Sequence, residues 1–264
     1  MTVNELFKEK CIIGMVHLLP LPGTLNYNGD IDKIYEQAIA DAKALQAGGA
    51  SALIVENMND VPAPVKLSAE QFAFLAAAAA RVKDVVTIPV GIDAAFCDWK
   101  ASIAIAKAVK ADFVRLAVFV DQVVIASGQV DPCCCEAVKY RKELGADNIL
   151  FLCDAQVKHS FMKTGSISLV ESAKMAEENG ADAVIVTGAS TGQATPIDMI
   201  KEVRNVVKVP VLAGSGFSAD NCVSQLPYID GAIVGSSFKE GGVLTNPVDE
   251  LRVRKLMDRV RENS

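Results

Sequence analysis

Only two histidines occur in the chain, His17 and His159. A histidine titrates near neutrality and so suits proton transfer, and both follow short apolar runs of the kind that form buried strands. Other polar and ionisable residues take the same position: Glu56 with Asn57, Asp93, Arg115, Asp154 with Lys158, and Thr187 with Ser190 and Thr191. Asp154 and Glu56 suit partner acid and base, or act with Asp93 as oxygen ligands of a divalent ion. Lys158 and Arg115 suit the neutralising of charge that develops on a substrate, and a desolvated Lys158 can form a Schiff base. The chemistry is therefore assigned to His17, Glu56, Asp93, Asp154, Lys158 and His159. Substrate contacts are assigned to Asn57, Arg115, Thr187, Ser190 and Thr191. Plainer roles compete at single positions, since His17 is as well suited to holding the loop after it and Asp154 to capping a turn.

A second kind of site lies near the end of the chain. Residues 209–217 read V-P-V-L-A-G-S-G-F and residues 230–239 read D-G-A-I-V-G-S-S-F-K. Each holds an apolar run too short for a helix, followed at once by glycine and serine. Such turns bare backbone N–H groups at a strand's carboxyl end, where they can wrap an anion. Gly214, Ser215 and Gly216, with Gly235, Ser236 and Ser237, are thus expected to form a phosphate cup, as the last two strands of many (β/α)8 barrels do. Turning the chain is the competing reason for these glycines.

The elements that must carry these residues alternate. Strands are predicted at 11–16, 51–55, 88–92, 113–117, 149–153, 183–187, 210–213 and 231–234. Helices are predicted at 32–47, 69–82, 99–109, 133–144, 169–179, 197–207 and 248–261. A Gly-Ala-Asp or Gly-Ala-Ser unit precedes several of the strands. This is the (β/α)8 pattern over residues 1–264 as one barrel domain. A doubly wound open sheet is the rival fold, but it places a G-x-G-x-x-G turn after an early strand, where this chain has H-L-L-P-L-P-G.

Composition narrows the classes. A hydrophobic share of 51% over 264 residues is ample for a large core. No apolar span is long enough for a membrane helix, and the first residues do not resemble a signal peptide. The formal charge of −6 and the lack of a basic stripe argue against a nucleic-acid partner. Seven cysteines without a secretory signal point to reduced thiols in the cytoplasm. The run Cys133-Cys134-Cys135 cannot converge on one metal, because neighbours on a helix point about 100° apart. Asp131 and Pro132 read as the cap and first position of that helix, where a thiol in the first turn can be somewhat acidified, but small residues filling a helix start is the favoured reading over redox chemistry. The cofactor is left unknown, a divalent ion being the one option the acidic residues raise.

Six motifs together resemble the BtpA family, the BtpA/SgcQ-like TIM-barrel proteins: G-M-V-H-L-L-P-L-P-G (14–23), V-E-N-M-N-D-V-P (55–62), D-A-Q-V-K-H (154–159), V-T-G-A-S-T-G (186–192), L-A-G-S-G (212–216) and V-G-S-S-F-K-E-G-G-V-L-T-N-P-V-D (234–249). The resemblance implies a barrel of the ribulose-phosphate-binding type, a cytoplasmic location, and chemistry on a small phosphorylated sugar or nucleoside. The family has no settled common reaction, so isomerase, lyase and hydrolase chemistry stay open. So does a non-catalytic barrel serving as a binding or assembly factor. Three departures bear on this. Gln156 stands where members usually carry a histidine, Ala117 where they carry an asparagine, and I-D-A-A-F-C-D (92–98) replaces an Asn-rich stretch. They imply an altered substrate, an altered metal preference or lost catalysis. A barrel of this kind is expected to form a homo-oligomer, through an interface that no stretch identifies.

Overall fold

A computed structural model of the chain describes residues 1–163, 167–188 and 194–264. In chain order its helices and strands are α1 (Val3–Leu6), β1 (Cys11–His17), α2 (Ile31–Ala47), β2 (Ala52–Glu56), α3 (Ala69–Val85), β3 (Val90–Asp93), α4 (Trp99–Val109) and β4 (Phe113–Leu116). Then follow β5 (Val123–Ile125), β6 (Gly128–Val130), α5 (Cys134–Glu143), β7 (Leu150–Ala155), β8 (Phe161–Met162), α6 (Leu169–Glu178) and β9 (Ala183–Val186). The chain closes with α7 (Ile197–Arg204), β10 (Val211–Ala213), α8 (Cys222–Gln225), β11 (Gly231–Val234) and α9 (Glu250–Glu262). Eight parallel strands form a closed barrel in the order β1-β11-β10-β9-β7-β4-β3-β2. The fold is the (β/α)8 barrel that the alternation predicted.

Local chemistry sets the helix starts. Ser68 and Ser168 each accept from the backbone three residues on, while Gln71 and Glu171 reach back to complete a capping box. Asp30 and Asp249 cap α2 and α9. Every barrel strand is buried on both faces, and its alternate residues therefore enter two different cores. Ile12, Leu53, Ile92, Val114 and Val184 pack outward against the helices. Ile13, Ile54, Phe113, Leu152 and Ile233 fill the interior. Gly91 makes room there, since a Cβ on it would lie 2.2 Å from the Phe113 ring. Met1, Val3, Leu6 and Phe7, on and beside α1, pack against this interior cluster.

Three expectations need correction. The helix after β6 begins at Cys134, with Cys133 in the cap position and no side-chain cap. Asp131 instead accepts hydrogen bonds from Gln122 and Gln129. The Cys133 thiol is not acidified: a hydrogen bond with Cys97, then burial, push it up. Helix α7 ends at Arg204, not at 207, where β-branched Val206 and Val207 disfavour continuation. A small sheet of order β6-β5-β8 was not foreseen, although V-V-I-A-S-G-Q-V (123–130) alternates about a two-residue turn. Among the described residues no helix is long and apolar enough to cross a membrane.

Candidate active site

Strand parity builds the site. Inward positions alternate with outward ones, so the interior series of β1 passes from Ile13 to His17, and that of β2 from Ile54 to Glu56. On β3 it runs from Gly91 to Asp93, and on β4 from Phe113 to Arg115. Parallel pairing sets them level: His17 is opposite Glu56, Glu56 is opposite Asp93, and Gly91 opposite Phe113 brings Arg115 beside Asp93. Asp154 arrives at the top of β7. The carboxyl ends of the strands thus carry a charged layer above the apolar interior.

His17, Glu56, Asp93, Arg115, Lys158 and His159 line one cavity of about 260 Å³. Gly214, Ser215, Gly216, Gly235 and Ser236 line the same cavity. A Cβ added at Gly235 would lie 3.3 Å from His17 Cε1, so only a residue without a side chain leaves the imidazole uncrowded there. Gly216 has φ +63°, a conformation glycine adopts without strain. Ser215 Oγ accepts from the backbone of Gly188 at 3.1 Å. Ser236 opens a short 3-10 turn, Ser236–Phe238.

The charges are tightly engaged. Arg115 donates to both oxygens of Asp154, at 2.8 and 2.9 Å, and approaches Asp93 at 3.5 Å. Burial works against the guanidinium charge, but Asp154 and then Asp93 outweigh it and raise its pKa. Burial also pushes the Glu56 carboxyl up, yet His17 at 3.5 Å, with Arg115 and Lys158, holds it below its ordinary value. Asp93 goes the other way: burial and then the Glu56 charge push it well above the usual range, although Arg115 opposes them. Two neighbouring carboxyls are therefore driven apart, one toward base and one toward acid. Burial, then the Arg115 charge, lower Lys158 to about 8, and burial with the Lys158 charge lowers His159.

Lys158 sits in a loop built to aim it. Gln156 and His159 flank it with φ +52° and +61°, values uncommon for residues with a side chain. Asp121, 3% exposed, accepts from Gln156 N at 2.8 Å and from Ser172 Oγ at 2.6 Å. Asp121→Ala should leave these donors unsatisfied and cost about 1–3 kcal/mol. Chemical unfolding would read the loss, and faster hydrogen exchange at 155–160 would locate it.

Several assigned residues lie elsewhere. Asp154 is 0% exposed and outside the cavity wall, bonded to Arg115, which does line it. Asn57 is also outside, its amide bonding both backbone groups of Ala95 and the Asp60 carboxylate. Thr187 accepts from Lys158 N at 3.2 Å and does not reach the cavity wall. Ser237 lies behind the turn, its carbonyl accepting from Arg252. Ser190 and Thr191 lie outside the described residues. Of the three departures, Ala117 does line the cavity, as does Asp93. Gln156 points away, its amide donating to Ile167 O and Ser172 Oγ. Sequence reading missed the apolar wall of Met15, Met58, Phe96, Val157 and Leu244. Strand parity could have found Met15. Nothing in the sequence marked Asp121.

Among the described residues no three His, Cys, Asp or Glu side chains gather to hold a metal ion. Asp93 and Asp154 face Arg115 instead, which takes the place a cation would need.

A profile of the BtpA family matches residues 8–262. The chain belongs to the BtpA family. An uncharacterised protein of Thermococcus kodakarensis is 38% identical over 97% of both chains. The photosystem I biogenesis protein BtpA of Synechocystis is 32% identical, over 95% of this chain and 88% of its own. Among solved structures, the family fold resembles the (S)-3-O-geranylgeranylglyceryl phosphate synthase of Thermoplasma acidophilum, in complex with its substrate sn-glycerol-1-phosphate. That match has a TM-score of 0.63 and 14% identity over 99% of both chains. Tryptophan synthase of Mycobacterium tuberculosis matches with a TM-score of 0.64 and 16% identity over 98% of both chains. At such identities the likeness is one of fold.

Proposed function

We propose that the protein is an enzyme acting on a small phosphorylated sugar-like or nucleoside-like compound. The substrate's phosphate rests against the turns at 214–216 and 235–236. Its reacting carbons lie over the charged layer, where Glu56, poised by His17, takes a proton and Asp93 supplies one. Such transfer serves isomerisation or lyase cleavage. The observation that carries this reading is the single cavity shared by the glycine-serine turns and the acid-base residues, with Gly235 placed where a side chain would crowd His17. The phosphorylated substrate held by the geranylgeranylglyceryl phosphate synthase of similar fold supports it. We place the reaction in the cytoplasm, a reducing compartment that suits seven free thiols.

Thermal unfolding against a set of sugar and nucleoside phosphates tests the reading. A true ligand at 100 times its dissociation constant should add about 2.7 kcal/mol of stability. Gly235→Val, which fills the cup beside His17, should abolish that gain. Turnover of the bound compound supports an enzyme. Binding without turnover favours a binding or assembly factor, and no stabilisation by any phosphate ester rejects the cup.

A further inference from the structure

Lys158 lines the cavity, and its amine has no ion-pair partner among the described residues, although Glu56 and Asp93 line the same space. Arg115, the other strong cation there, is bridged to Asp154 and Asp93. A lysine kept only for charge would be expected to sit against one of these carboxylates. Its loop is instead pinned at three points: Gln156 N on Asp121, Lys158 N on Thr187 Oγ1, and Val157 O bonded by Ser160 Oγ at 2.6 Å. The wall of the same cavity includes Val157, Phe96 and Met15, apolar surfaces that favour a neutral amine over an ammonium ion.

We propose that Lys158 forms a covalent imine with the carbonyl carbon of a phosphorylated aldehyde or ketone seated in this cavity. The proposal rests on the reading that the turns at 214–216 and 235–236 hold the phosphate, and it narrows the substrate class to carbonyl compounds. In the first step the amine's lone pair forms the C–N bond while the carbonyl oxygen takes a proton from Asp93. The nitrogen then releases one of its protons to Glu56, Glu56 returns that proton to the hydroxyl, which leaves as water, and an iminium ion remains with Glu56 deprotonated again. Nothing is oxidised or reduced. The iminium draws electrons from the neighbouring carbon, which lets Glu56 remove a proton there or lets a carbon–carbon bond break. Lys158, near pKa 8, offers a neutral fraction at pH 7 on the order of a hundredfold larger than an ordinary lysine.

Dihydroxyacetone phosphate is the probe, and sn-glycerol 1-phosphate is its control without a carbonyl. The full-length protein is incubated with each, reduced with borohydride, and mapped by peptide mass spectrometry, while thermal unfolding reports binding in parallel. The expected result is a secondary-amine adduct concentrated on Lys158 with dihydroxyacetone phosphate alone, suppressed by excess sn-glycerol 1-phosphate and absent in Lys158→Met. Lys158→Arg, which keeps the charge and cannot form the imine, should bind the probe and give no adduct. Stabilisation by both compounds with no adduct, or with adducts spread evenly over surface lysines, overturns the imine and leaves the phosphate cup standing. Stabilisation by neither overturns both.

Discussion

Asp154→Ala is expected to destabilise the protein by about 3–5 kcal/mol, because it strands the buried Arg115 guanidinium without its principal partner. Asp154 is 0% exposed and Arg115 8% exposed, and two hydrogen bonds at 2.8 and 2.9 Å join them. With one partner gone, Asp93 at 3.5 Å cannot make up the loss. The desolvation already suffered by the cation is then left without compensation. Equilibrium unfolding in urea measures the change, and a domain with about 5–15 kcal/mol of stability retains its fold well enough for the comparison. The double variant Asp154→Leu/Arg115→Met should recover much of the loss, since removing both charges removes the unpaired cation. A single-variant loss under about 1 kcal/mol would mean that water reaches Arg115, contrary to its burial.

Glu56→Gln should cut turnover of the natural substrate by about 10²–10⁴-fold while changing thermal stability little. The replacement keeps the size of the side chain beside His17 and removes the base. The pH profile of kcat/KM carries the same assignment. In the proposed reaction Glu56 acts deprotonated, and its lowered pKa should place the rising limb below the ordinary glutamate range near 4.5. In the same proposal Asp93 acts protonated, and its strongly raised pKa should make activity fall only as the pH climbs well above the ordinary aspartate range. The result is a broad bell whose two limbs belong to the coupled pair. In Glu56→Gln the acidic limb should vanish from the residual rate. An unchanged acidic limb would assign the base elsewhere, with His17 the next residue to replace.

Much of the architecture was legible in the chain. Short Val- and Ile-rich runs alternate with helices that Asp30, Ser68, Ser168 and Asp249 start, and these are local signals that need no distant partner. The residues at strand ends could also be read, because a period of two sends His17, Glu56, Asp93 and Arg115 to one face once the strands are placed. The glycine-serine turns were visible for the same reason.

Which of those residues line the cavity was decided only by tertiary structure. Asp154 and Lys158 are four residues apart, yet one is buried against Arg115 and the other lines the cavity, because barrel register and the Asp121 anchor set them and local spacing does not. Asn57 follows Glu56 directly and turns away to hold Ala95. The direction of each carboxyl's pKa was likewise outside the sequence's reach. Glu56 and Asp93 share a layer, and the opposite shifts arise from His17 lying beside the first and from deep burial beside a negative neighbour for the second. Sequence fixes identity and alternation, which are local. Burial and charge pairing depend on distances between strands far apart in the chain, and those exist only after the barrel closes.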